Sequence, residues 1–185
     1  MPESLGSHYL TDALAQFRGL KTLADKALAQ VKEAELFVAL DPESNSIAVI
    51  MKHLAGNMSS RWTEFLTSDG EKPNRNRDGE FEMVAGETKA ALLESWESGW
   101  RCLFDAVQPL MEQDLLRSVS IRGQEHSVVQ AINRQLTHYA CHVGQIVFLA
   151  KHLRSTDWQS LSIPRGKSAE FNPGNSRTQP PKETR

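Results

Sequence analysis

A chain of 185 residues suffices for one domain around one core. Hydrophobic residues make up 39% and charged residues 24%, the balance of an ordinary soluble protein. The formal net charge of −2 supplies no global field toward nucleic acid or an anionic membrane, and no apolar run approaches the roughly 20 residues that span a bilayer.

The opening MPESLGSHYL lacks a basic-then-apolar signal pattern, so a cytoplasmic protein is expected. Residues 8–31 then place Leu10, Leu14, Phe17, Leu20, Ala24, Leu28 and Val31 at three-four spacing. That is an amphipathic helix with one buried face. Asp41-Pro42 breaks the pattern, and Ser44 or Asn45 offers a cap for the next helix. This second helix covers residues 46–66, with a stripe of Ile47, Ile50, Met51, Leu54, Met58, Trp62 and Phe65. His53 lies on the flank of the stripe, Asn57 one turn later and Glu64 further along that side.

Residues 69–87, DGEKPNRNRDGEFEMVAGE, form a polar loop well above the usual length of about 4–6 residues. Its six acids against three bases make it no general anion trap. Arg75 and Arg77 are nonetheless placed to bind a carboxylate or phosphate of a substrate or cofactor. The loop is expected to serve substrate access and not the core, with a solvated connector as the alternative. A third helix spans residues 88–107, with Leu92, Trp96, Gly99, Leu103 and Val107 inward and Trp96 and Trp100 read as core. Alternation over 115–120 and a turn at 122–125 predict a short hairpin. Ser127 and Gln130 form a capping-box pattern opening the last helix, which runs to about 153. The expected organisation is one helical domain over residues 1–165 and a flexible tail over 166–185, polar and proline-rich. Cys102 and Cys141 give no disulfide framework and are read as reduced thiols. Four helices of about 20 residues imply an all-α four-helix bundle with the hairpin before the last helix.

The chemistry concentrates in Asn133–Leu149, NRQLTHYACHVGQIVFL. His138 and His142, four apart, leave one helix face one turn apart. Their face also carries Ala131, Gln135, Gln145, Ile146 and Leu149. Adjacent imidazoles on an apolar stripe are costly unless their nitrogens are bound, and a divalent metal binds them well. A hydrogen-bonded core pair is the bland alternative, and two ligands do not complete a shell. At about 1.5 Å of rise per residue, His126 lies about 18 Å before His138 and His152 about 15 Å beyond His142. Cys141 sits about 60° round the helix from His138. His8 is not placed by this arithmetic. His53, mid-helix and at similar depth, is the third ligand chosen. Gln145 and Asn57 are candidates for orienting a bound water or substrate, or for hydrogen-bonding the histidines from behind.

The segments KHLAGN, with His53, and HYACHVGQI, with His138 and His142, resemble the DinB-like (YfiT-related) family of metal-dependent bundles. GNMSSRWTEFLTSDGEKPNRNRDGEF and IPRGKSAEFN look like a subfamily of it whose function is unassigned. The resemblance covers residues from about 8 to 172. It implies a three-histidine metal site and a homodimer, and a three-histidine donor set suits zinc, nickel or iron. Some members resemble transferases of low-molecular-weight thiols such as bacillithiol, mycothiol or glutathione-like cofactors. Three neutral histidines leave coordination positions open, the arrangement of a catalytic and not a structural site. The functional expectation is therefore a metal-dependent thiol S-transferase or hydrolase acting on a small molecule, with no nucleic-acid or membrane partner. The alternatives are a non-catalytic metal-binding or stress-response protein and a metal-free interaction bundle.

Overall fold

The computed structural model describes residues 4–83 and 86–168. The expected flexible tail, apart from its first three residues, lies outside them. The chain is predominantly helical, with one short antiparallel hairpin before the last helix. Helix α1, Leu5–Leu28, is capped by Ser4, whose hydroxyl accepts from the Ser7 N–H. A single turn, α2, Glu33–Leu36, follows. Helix α3, Ile47–Trp62, begins on Ser46, and α4, Lys89–Val107, on Thr88. Each of these hydroxyls accepts an N–H three residues on, satisfying a donor that the first helical turn leaves orphaned. Strand β1, Ser118–Ile121, pairs with β2, Gln124–Ser127. Arg122 and Gly123 form the turn between them, both with positive φ (56° and 70°). That is the backbone demanded by a two-residue hairpin whose twist matches its strands. The turn is shorter than the sequence suggested, because Gln124 and Glu125 already belong to β2. Helix α5, Val128–Arg154, opens on the expected capping box between Ser127 and Gln130.

Helix α3 packs against α4 and α5, and α1 against α5 and α4. Phe17, Trp62, Trp96, Trp100 and Tyr139 fill the space between them. Gly99 lets α4 approach α3 closely: a Cβ there would stand 3.1 Å from the Ala55 Cα. Among the described residues, no helix is long and apolar enough to cross a membrane.

Two features correct the sequence reading. Helix α3 stops at Trp62, because Thr63 is extended and Glu64 takes a positive φ of 49°. Phe65 still reaches the core. Helix α3 is also buried almost all round, carrying His53, Asn57, Ser60 and Arg61 inside with its apolar residues. The cover on its outer side is the polar segment after Asp69. That segment is fastened at both ends. The Asp69 carboxylate accepts from the Ser120 hydroxyl at 2.5 Å and from the N–H groups of Glu71, Arg122 and Gly123 at 2.7, 2.9 and 2.8 Å. Further on, a 3-10 turn, Asp78–Phe81, brings Glu80 down onto α3 beside Gly56, where a Cβ would collide with the carboxylate at 2.3 Å. The loop is therefore structural as well as peripheral. Arg75 is turned inward: its side chain is 4% exposed and donates to Glu80 and Glu71. Arg77 remains exposed, with its guanidinium over the Phe81 ring.

Candidate metal centre

His138 and His142 stand one turn apart on α5 and face His53 on α3. The ring centroids are 4.7 Å apart within the pair, and 5.3 and 5.0 Å from His53 to His138 and His142. One nitrogen from each ring lies within 4.8 Å of the other two, so the three could hold a metal ion. Among the described residues no other His, Cys, Asp or Glu trio has this geometry. The spacing suits the donor set. Two nitrogens bound tetrahedrally at about 2.0–2.1 Å stand roughly 3.3–3.4 Å apart, and Nε2 of His53 lies 3.2 Å from Nε2 of His138.

The outer nitrogens fix the roles of the inner ones. Nδ1 of His53 lies 2.9 Å from a Glu80 oxygen. Arg75 grips the same carboxylate through Nε at 2.7 Å and Nη2 at 2.8 Å. Burial pushes the Glu80 carboxyl up, but the His53 and Arg75 hydrogen bonds outweigh it and hold the group below its ordinary value. A carboxylate can only accept, so Nδ1 of His53 carries a proton, and Nε2 is the nitrogen turned inward toward His138. His142 Nδ1 lies 2.8 Å from Oε1 of Gln145, which orients that ring in the same way. His138 is different: its Nδ1 is buried with no hydrogen-bond partner. Burial first, and then the neighbouring His142 and His53, push the His138 pKa down to about 3, and burial also lowers that of His142. Both shifts favour the neutral ring, the form that ligation requires.

The remaining candidates sort by what they touch. Gln145 is exposed, not on the apolar face, and is occupied with His142. Asn57 is buried, with its Oδ1 accepting from the Tyr139 hydroxyl at 3.0 Å, and that hydroxyl in turn accepts from Trp62 Nε1 at 3.0 Å. Asn57 also lines a pocket of about 140 Å³ beside the triad, shared with His53, His138 and Arg77. His126 belongs to β2 and bonds the Gln124 carbonyl, while His152 stacks on Phe148. Cys141 is exposed.

The sequence reading gave no role to Glu80, nor to Arg61, Arg122, Arg134 and Gln135, which line the same pocket as His53 and His138. Arg61 and Gln135 carried a signal, since each is a polar residue on a face that is otherwise core. Glu80 carried none: it lies 27 residues from His53 in an irregular loop.

Comparison with curated proteins and comparison with solved structures each give no match. A protein family does match, over residues 4–167. It spans all four long helices, the hairpin and the three histidines, and the chain belongs to this family, described as "Protein of unknown function (DUF1572)".

Proposed function

We propose that His53, His138 and His142 hold one divalent cation, zinc, nickel or iron, and that the protein is a metal-dependent enzyme acting on a small molecule. In this reading the four long helices form a four-helix bundle of the DinB-like kind, with the ligands drawn from two facing helices. The observation that carries it is the pair of Nε2 atoms 3.2 Å apart, with the Glu80 carboxylate accepting from Nδ1–H of His53 and so leaving Nε2 of the neutral ring free to ligate. A divalent cation at such a site makes hydroxide or thiolate available near neutral pH. The protein supplies the rest. Glu80, braced by Arg75, fixes the His53 tautomer, and Gln145 orients His142. Phe81, packed at 4.9 Å on His53, helps to keep water from that ring. Asn57 stands in the adjoining pocket, where its amide can orient a substrate. The reactions that fit are transfer of a low-molecular-weight thiol to an electrophile and hydrolysis of a small substrate.

The bland alternative also has an observation in its favour. A His138 Nε2–H donating to His53 Nε2 would satisfy both atoms without any ion. Cobalt substitution separates the readings. The enzyme reading expects a visible cobalt spectrum that changes on adding azide or a small thiol. A spectrum blind to both would mean a closed, non-catalytic shell, and no cobalt uptake would favour the hydrogen-bonded pair. We further propose a homodimer, the state that the DinB-like resemblance implies; Leu5 and Leu116, at 86% and 85% exposure, are the most exposed large apolar side chains among the described residues. Sedimentation at the monomer mass of 20.7 kDa would contradict this part.

A further inference from the structure

The pocket beside the histidines is lined by five arginines, Arg61, Arg75, Arg77, Arg122 and Arg134, with Gln135 and, among the described residues, no carboxylate in its walls. The chain as a whole carries a net charge of −2, so this concentration of positive charge is local. Two carboxylates stand behind the wall. Glu80 is taken by Arg75 and His53. Glu71 is spread thinly, at 3.1 Å from Arg122 Nε, 3.3 Å from Arg75 Nη1 and 3.5 Å from Arg61 Nη2. Asp78, 96% exposed, reaches Arg77 only at 4.0 Å. The surplus charge is therefore not neutralised from within.

Arg61 is the second observation. Its side chain is 3% exposed, yet Nε and Nη1 have no hydrogen-bond partner. Gly70 makes room for this guanidinium: a Cβ there would stand 2.8 Å from Nη1. Buried guanidinium donors left unpaired are costly, and proteins rarely keep them without a ligand to satisfy them. Gln135, 1% exposed, adds an unpaired buried Oε1, suited to a hydroxyl or water of the same ligand.

We propose that this pocket is an oxyanion subsite, which takes the carboxylate or phosphate group of a small molecule and holds it against the face of the histidine cluster. The guanidinium fork matches both groups in geometry, donating to two oxygens at once. A volume of about 140 Å³ admits such a group and a few further atoms, not a polymer. His53 and His138 form part of the same wall, so the rest of the molecule lies against these two rings. That this oxyanion belongs to the substrate rests on the metal-dependent reading above; the binding itself does not.

The test is calorimetric titration of the full chain at pH 7.5 with sodium phosphate and, separately, sodium acetate, against sodium chloride at matched ionic strength. It is run on chelator-treated wild type, on metal-loaded wild type and on His142→Ala, a residue outside the pocket wall. Saturable binding of phosphate or acetate at one site in all three forms is expected, and the tighter anion identifies the group. Arg134→Gln and Arg122→Gln, both at exposed positions, should each weaken it at least about fivefold, the scale of one charge-assisted contact. Arg61→Gln should abolish it if that variant folds. Neither anion binding above chloride would overturn the proposal, as would unchanged affinity in both exposed-arginine variants. Binding seen only in the metal-loaded form would overturn it too, by placing the anion on the metal, and would leave the metal centre standing. A protein that took no metal but still bound the anion would uphold the subsite and sink the metal reading alone.

Discussion

At the scale of single residues, the centre depends on polar side chains that a helix core would ordinarily refuse. The histidine pair was legible because four-residue spacing on a helix is a geometric statement that needs no tertiary information. His53 was legible from its mid-helix depth and core-facing flank, once His126 and His152 lay too far along the axis, and from the resemblance of KHLAGN. Glu80 was not legible at all, since a glutamate in an acidic loop looks like any solvated glutamate until the loop folds back on α3. Its role can be checked directly. Glu80→Gln should lower metal affinity about 10–100-fold, as loss of an outer hydrogen-bond partner generally does, with the fold retained. Competition against a chelator of known affinity measures this, and an unchanged affinity would remove Glu80 from the site. Arg75 and Arg77 now diverge. Arg75→Ala strands the Glu80 carboxylate in the interior and should cost about 3–5 kcal/mol in urea unfolding. Arg77→Ala alters an exposed side chain and should stay within about 0.5 kcal/mol. Equal, small effects for both would restore the sequence picture of a solvated loop.

At the scale of elements, the helix starts were readable because hydroxyl caps and a capping box are local devices. Ser127 and Gln130 sit where their pattern says, and Ser46 caps one or two residues beyond the cap the sequence suggested. The segment after Asp69 was misread in its role, since composition reports polarity and length but not what the polar groups bond. Asp69 is its anchor. The Ser120 hydroxyl, then the N–H groups of Gly123, Glu71 and Arg122, hold its carboxyl well below the usual carboxylate range. A depressed folded-state value means that the ionised form stabilises the fold. That contribution is present above the unfolded value of about 3.9 and is lost as pH falls through the folded one. Asp69→Ala should therefore lower stability at pH 7 by roughly 1–2 kcal/mol, the scale of losing a capping side chain. Its deficit relative to wild type should shrink once the pH passes below about 4. A deficit independent of pH would mean that shape and not charge fastens the loop to the hairpin.

At the scale of the whole molecule, α3 and α5 meet through the three histidines, so an ion held there ties together two helices separated in sequence by the loop, α4 and the hairpin. The order of the long helices and the hairpin was legible from periodicity and turn chemistry. The burial of α3 on its outer side was not, because it depends on a loop with no periodicity of its own. Binding to the folded state alone stabilises it by mass action, so the melting temperature should rise with metal concentration. The most direct measurement is metal stoichiometry, by elemental analysis and by titration of chelator-treated protein, for wild type and for the variants His53→Ala, His138→Ala, His142→Ala and all three together. The account predicts one divalent ion per chain in the wild type, strongly weakened binding in each single variant and none in the triple, with His126→Ala and His152→Ala behaving as wild type. A triple variant that kept a stoichiometric ion, or a wild type that took up none from metal-replete medium, would contradict it.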